Sequence, residues 1–165
     1  MGIWIEGYQV QCTNAAGKKW AAAKLTAANK YVFTGLGAGG NYKFRVRFYM
    51  RDQNGKAQFG KWTTISVPTL PKATKLSSVA SAKKAFTAKW AKVSGVTGYQ
   101  IQYSTNAKYT GAKVKAVKGA AKYSLAVKGL KGGAKYYVRI RTFKTIGGKN
   151  HFSAWSASKA VTKKK

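Results

Sequence analysis

The chain has 165 residues, enough for one or two domains, and its 45% hydrophobic and 13% aromatic content is ample for packed cores. Lysine and arginine number 32 against two carboxylates, Glu6 and Asp52, so the formal net charge is +30. With one histidine and one cysteine besides, the chain is too poor in titratable groups for a paired acid and base, and no cluster has metal-ligand spacing.

Gly7-Tyr8-Gln9-Val10-Gln11 begins an alternating stretch that reads as a strand, which makes Cys12 a buried apolar thiol; as the single cysteine it has no internal disulfide partner. Ala21 to Ala28 looks helical by composition, but it stands where Ala112 to Val117 alternate later in the chain, and it is predicted as a strand. Gly37-Ala38-Gly39-Gly40 precedes a strand, so it reads as a turn and not as a phosphate cradle. Tyr42 to Phe48 alternates strictly. Asp52-Gln53-Asn54-Gly55 has one carboxylate, too few for calcium, and reads as an Asn-Gly hairpin turn. Val67-Pro68-Thr69-Leu70-Pro71-Lys72 holds both prolines of the chain and reads as a stiff linker. Ala85 to Trp90, Tyr99 to Tyr103 and Tyr136 to Phe143 alternate as strands, separated by Ser94-Gly95, Thr105-Asn106 and Gly132-Gly133. Gly147-Gly148 closes a last hairpin, and His151 beside it reads as a solvent-facing loop residue.

These stretches recur. Gly7-Tyr8-Gln9-Val10-Gln11 returns 91 residues on as Gly98-Tyr99-Gln100-Ile101-Gln102. Gly35-Leu36, Tyr42 and Arg45-Val46-Arg47 return 94 residues on as Gly129-Leu130, Tyr136 and Arg139-Ile140-Arg141, and Trp62 returns as Trp155. Recurrence in the same order marks two copies of one unit. Short strands between turns, about seven in each 90 residues, predict an all-β chain of two-sheet sandwiches. Tyr8, Tyr42, Phe44, Trp62, Tyr99, Tyr136 and Trp155 sit at repeat-equivalent positions, which favours core packing over a sugar-stacking face.

Leu130-Lys131-Gly132-Gly133-Ala134-Lys135-Tyr136 resembles the tyrosine-corner segment of fibronectin type III domains, and Leu36 to Tyr42 repeats its spacing. Ala38 and Gly132 stand where that turn often has proline. Trp90 matches the family's core tryptophan, while Gly60-Lys61-Trp62-Thr63 and Ser153-Ala154-Trp155-Ser156 match the segment entering its last strand. The resemblance implies two tandem immunoglobulin-like sandwiches: a partial domain over 1–67, a linker over 68–72 and a complete domain over 73–165. It also implies that the hydroxyls of Tyr42 and Tyr136 bond to backbone near Leu36 and Leu130. The lysine-rich flavour is similar to repeats of secreted or wall-associated proteins of Gram-positive bacteria.

The copies differ in extent. Lys72 to Thr97 precede Gly98, whereas Met1 to Glu6 precede Gly7, so the first copy lacks residues for its first two strands. That leaves a sheet face carrying Tyr8, Val10, Phe44 and Val46 to be covered by polypeptide outside 1–165. Met1-Gly2-Ile3-Trp4 reads like mid-domain sequence, which favours upstream chain; the other source is a strand from a neighbouring molecule, for which Ser158 to Lys165 is a candidate.

For function, no run of ~18 apolar residues spans a membrane, and Met1 to Glu6 has no signal-peptide pattern. The basic residues are spread over both copies without one dense patch, a weak sign of nucleic-acid binding. The favoured expectation is a non-catalytic extracellular structural or adhesive module, part of a bacterial surface array or filament. The alternative is a module that holds anionic wall polymers or polysaccharide beside a hydrolase. No cofactor is expected.

Overall fold

A computed structural model describes residues 4–162, so the reading of Met1-Gly2-Ile3 lies outside the described residues. Contacts divide the chain into a first unit, Met1–Thr69, and a second, Leu70–Lys165. The described residues are all β, with no helix.

The first unit holds β1 (Gly7–Cys12), β2 (Lys24–Thr26), β3 (Asn41–Arg51), β4 (Ala57–Phe59) and β5 (Thr63–Pro68). They form one antiparallel sheet in the order β2-β1-β3-β4, with β5 pairing β3 on the edge opposite β1, beside β4. The second unit holds β6 (Leu76–Ala82), β7 (Ala85–Trp90), β8 (Gly98–Ser104), β9 (Lys113–Lys118), β10 (Ser124–Lys128), β11 (Lys135–Ile146), β12 (Lys149–Phe152) and β13 (Lys159–Thr162). Here β12-β11-β8-β9, with β13 on β11, repeats the sheet of the first unit strand for strand. A second sheet, β10-β7-β6, has no hydrogen-bonded counterpart among the described residues of the first unit.

The alanine-rich segment 21–28 contributes β2, paired with β1 through Tyr8↔Thr26 and Val10↔Lys24. Gly7 and Gly98, each opening the repeated Gly-Tyr-Gln, permit this edge pairing. A Cβ on Gly7 would lie 2.5 Å from the Thr26 carbonyl oxygen, and one on Gly98 would overlap that of Val117. Only glycine lets the two backbones approach so closely.

In the second unit the two sheets close on one core. Phe86, Ala88, Trp90 and Val127 from one sheet meet Tyr99, Ile101, Tyr103, Val138 and Ile140 from the other, all nearly inaccessible to solvent. Tyr99 locks this packing: its hydroxyl accepts the Val93 N–H at 2.8 Å and donates to the Ala120 carbonyl at 2.7 Å. Among its described residues the first unit has the matching sheet and no second sheet over it. Val46, Phe48 and Val67 are 39%, 37% and 42% exposed, whereas their counterparts Ile140, Thr142 and Val161 are at 0%, 0% and 8%.

This difference corrects the expectation for Cys12. Its thiol is free but only half-buried, because it points to the face that the second sheet would close. The C-terminal donor strand is corrected too. Lys159 to Thr162 already pair with Lys135 to Val138 as β13 of their own unit, so they are not spare. His151 lies within β12, opposite Lys144 and half-buried, not in an open loop.

Candidate interaction surfaces

The tyrosine corners stand as the resemblance implies. Tyr42 and Tyr136 are 6% and 8% exposed, and their hydroxyls accept the backbone N–H of Gly37 at 2.7 Å and of Lys131 at 3.3 Å. Each pins the chain entering β3 or β11, the strand that carries the arginine pair.

The arginines face away from the core. In β1 and β3 the register pairs Gln9 with Arg47 and Gln11 with Arg45; in β8 and β11 it pairs Gln100 with Arg141 and Gln102 with Arg139. Each glutamine Oε1 accepts from the Nε of its arginine, at 2.7 Å for Arg45, Arg47 and Arg139 and 3.0 Å for Arg141. That bond holds the guanidinium plane across the sheet, where aromatic rings cover both of its faces.

In the first unit Arg45 lies 4.2 Å from the Trp20 ring centre and 4.3 Å from that of Trp62, and Arg47 lies 4.4 Å from Trp62 and 4.0 Å from Phe59. The second unit repeats the stack: Arg139 between Tyr109 at 4.0 Å and Trp155 at 4.8 Å, Arg141 between Trp155 at 4.2 Å and Phe152 at 3.9 Å. Each unit therefore carries a five-rung ladder of alternating rings and cations. The electron-rich ring faces stabilise the two like charges without any carboxylate. Burial, and next the positive charge of Arg139, hold the Arg141 pKa below its ordinary value.

Sequence reasoning placed Trp62 and Trp155 in the core, and the structure corrects this. Both are half-buried rungs on the outer face. Of the other aromatics in that set, Tyr42, Tyr99 and Tyr136 are buried, while Tyr8 and Phe44 are half-buried on the uncovered face. The signal that finds the ladder is the pair Gln-x-Gln and Arg-x-Arg on adjacent strands, recurring with a tryptophan in both copies.

The two carboxylates are otherwise engaged. Glu6 Oε2 meets Arg51 Nε at 3.3 Å. Asp52 Oδ2 accepts from Gln58 Nε2 at 3.0 Å, and its Oδ1 accepts the N–H groups of Lys56 and Asn54 at 2.9 and 3.0 Å. These donors, the Gln58 amide foremost, hold the Asp52 pKa below its ordinary value. The carboxylate organises the Asn54-Gly55 turn, where Gly55 has φ +75°. Among the described residues no three His, Cys, Asp or Glu side chains gather at one place, and no helix is long and apolar enough to cross a membrane.

The second candidate surface is the uncovered face of the first unit. Tyr8, Val10, Tyr31, Phe33, Phe44 and Ile65 line much of an open groove of about 390 Å³ on it. Phe33 packs at 5.1 Å from Phe44 and 4.8 Å from Tyr31, so these rings shield part of the sheet.

This architecture is that of a fibronectin type III tandem. The family's sequence profile, Fibronectin type III domain, matches residues 71–159, more than half of the chain, and the chain belongs to that family. No curated protein matches the sequence. Among solved structures it is similar to a two fibronectin type III domain segment from chicken tenascin, at 17% identity and TM-score 0.57, covering 96% of this chain and 85% of that one. It is also similar to the FN1-FN3 domains of chicken CNTN1, at 18% identity and TM-score 0.50. That match covers 96% of this chain and 56% of the CNTN1 chain, so this chain spans little more than half of it. At such identities the likeness establishes the fold. Domains of this family are generally non-catalytic structural and adhesion modules.

Proposed function

We propose that this chain is a structural and adhesive module of an extracellular bacterial surface protein, built into an array or filament through protein contacts of its first unit. The observation that carries this reading is the contrast between two copies of one sheet, with Val46, Phe48 and Val67 more than a third exposed in one and their counterparts sealed in the other. Apolar side chains left open on a repeated scaffold favour association with further polypeptide.

A second reading is favoured by the ladders: a module that holds anionic wall polymer or polysaccharide. Both units present stacked guanidinium groups and tryptophan on an outer sheet face, within a chain of net charge +30. Charge attraction of that kind is screened by salt, whereas apolar contact is not.

Retention of the purified protein on Gram-positive cell envelopes, with and without surface proteins, separates the two. The structural reading expects retention that needs the surface proteins, survives roughly 1 M salt, where the screening length is ~3 Å, and is lost in Val46→Asp/Val67→Asp. Retention on protein-free walls that vanishes with salt, or with Arg45→Gln/Arg139→Gln, establishes the second reading and overturns the first.

A further inference from the structure

The ladder of the first unit leaves hydrogen-bond donors over. The Gln11 Nε2 donates to the Ala21 carbonyl at 2.9 Å, which turns the Gln11 Oε1 to Arg45. Arg45 and Arg47 each spend Nε on a glutamine, and among the described residues their Nη groups meet no acceptor. A guanidinium whose plane is clamped by rings and whose outer N–H groups are free is a preformed fork for an oxyanion. In the second unit Arg141 gives Nη2 as well to Gln100, at 2.8 Å.

The surroundings of the two ladders differ. The register of β3 and β5 puts Thr64 beside Arg45 and Ser66 beside Lys43 on the outer face. Lys43, Thr64 and Ser66 are exposed, and their side chains have no partner among the described residues. The same places in the second unit hold Tyr137, Ser158 and Ala160, and the Ser158 hydroxyl is bonded to that of Tyr109 at 2.7 Å. Of the two units, the first therefore surrounds its fork with an ammonium and free hydroxyls. A carboxylate has two oxygens in one plane, which a single guanidinium edge saturates. A phosphodiester sets four oxygens about a tetrahedron and can meet a fork, an ammonium and a hydroxyl together. Both faces of Trp62 are covered by guanidinium groups, at 4.3 and 4.4 Å, so the ring between the forks offers no face to a base or a sugar.

We propose that the outer face of the first unit binds a polyol phosphate chain, a phosphodiester polymer without bases, with Arg45 and Arg47 holding successive phosphates. Lys43 and the Thr64 hydroxyl complete the site at Arg45. This rests on the anionic-polymer reading above and names its ligand. The two forks stand on one strand two residues apart, about 7 Å along it, with Trp62 between them, so the ligand carries charges that recur along a chain. Charge alone gives attraction to any polyanion. The fork, the ammonium and the hydroxyl add a preference for phosphate, and the covered Trp62 removes the stacking that a single-stranded nucleic acid uses.

The test titrates the purified full chain by calorimetry with a synthetic glycerol-phosphate oligomer, beside polyglutamate and single-stranded DNA matched to it in charge. The decisive variant is Gln9→Glu/Gln11→Glu, because glutamate keeps the Nε bonds and the ladder while neutralising both forks. Lys108→Glu/Lys128→Glu, at exposed sites of the second unit, lowers the net charge further and leaves the forks free. The oligomer should bind the parent more tightly than either competitor does. The glutamine variant should weaken it at least ~10-fold, and the lysine variant by no more than ~2-fold at physiological salt. Lys43→Gln/Thr64→Val, which touches no rung of the ladder, should weaken it at least ~3-fold. If the lysine variant costs as much as the glutamine variant, or if neither the glutamine variant nor Lys43→Gln/Thr64→Val weakens binding, net charge alone holds the polymer and the proposal is overturned. Polyglutamate or DNA bound as tightly as the oligomer overturns it too, the ligand then being a carboxylate or a nucleic acid. If wall retention still depends on Arg45 and Arg139 while the oligomer does not bind, the anionic-polymer reading stands and the polyol phosphate is wrong.

Discussion

An arginine on an exposed sheet normally finds water or a carboxylate, and here the carboxylates are spent elsewhere. Glu6 serves Arg51 and Asp52 serves its own turn. Arg139 and Arg141 are held instead by rings above and below and by glutamine at Nε, an arrangement that needs a planar cation. Lysine keeps the charge but neither stacks as a plane nor offers Nε. Arg141→Lys is therefore expected to destabilise the second unit by about 1–2 kcal/mol, since each exposed cation–π contact is worth roughly 0.5–1 kcal/mol. Urea unfolding checks this, and an unchanged midpoint contradicts it. Tyr103, inside the same unit, titrates the other way. Burial, and next Tyr136 nearby, raise its pKa above the ordinary 10.0. The fold thus favours the neutral phenol. Its contribution is complete below pH ~10 and is lost as pH rises through the folded value. Tyr103→Phe should lose less stability between about pH 10 and 12 than the parent does, read as thermal midpoints across that range.

At the scale of elements, β3 and β11 are one sequence pattern in two surroundings. Val46 and Ile140 occupy the same place between two arginines, the first on an open face and the second under β6 and β7. Truncation measures the difference. Ile140→Ala removes fully buried methyl groups and should cost about 2–5 kcal/mol, whereas Val46→Ala should cost under about 1 kcal/mol. Equal costs would mean that the two faces are equally covered. Many of the strands and the tyrosine corners were legible in the sequence because alternation and turn residues act locally and the repeat checks each assignment. Trp62 and Trp155 were not: both lie outside the strands, where alternation says nothing, and recurrence at equivalent positions marks a shared role without telling core from outer face. Cys12 was misread for a different reason. Its burial depends on a second sheet that the described residues of its own unit do not form, and no pattern within β1 carries that information.

For the molecule as a whole, the charge of +30 sets the background and the two sheets set the contrast. The like charges repel throughout both units, so salt should stabilise each of them and does not distinguish one from the other. What distinguishes them is cover: the second unit closes two sheets on a core of Phe86, Trp90, Tyr99, Ile101, Val138 and Ile140, while the first presents the matching sheet open. Amide hydrogen exchange in the purified full chain tests this most directly, because β1 and β3 carry the same ladder of hydrogen bonds as β8 and β11. The central amides of β8 and β11 should exchange at least about 100-fold more slowly than those of β1 and β3, the second sheet being all that separates the pairs. Equal protection in the two units would contradict the account.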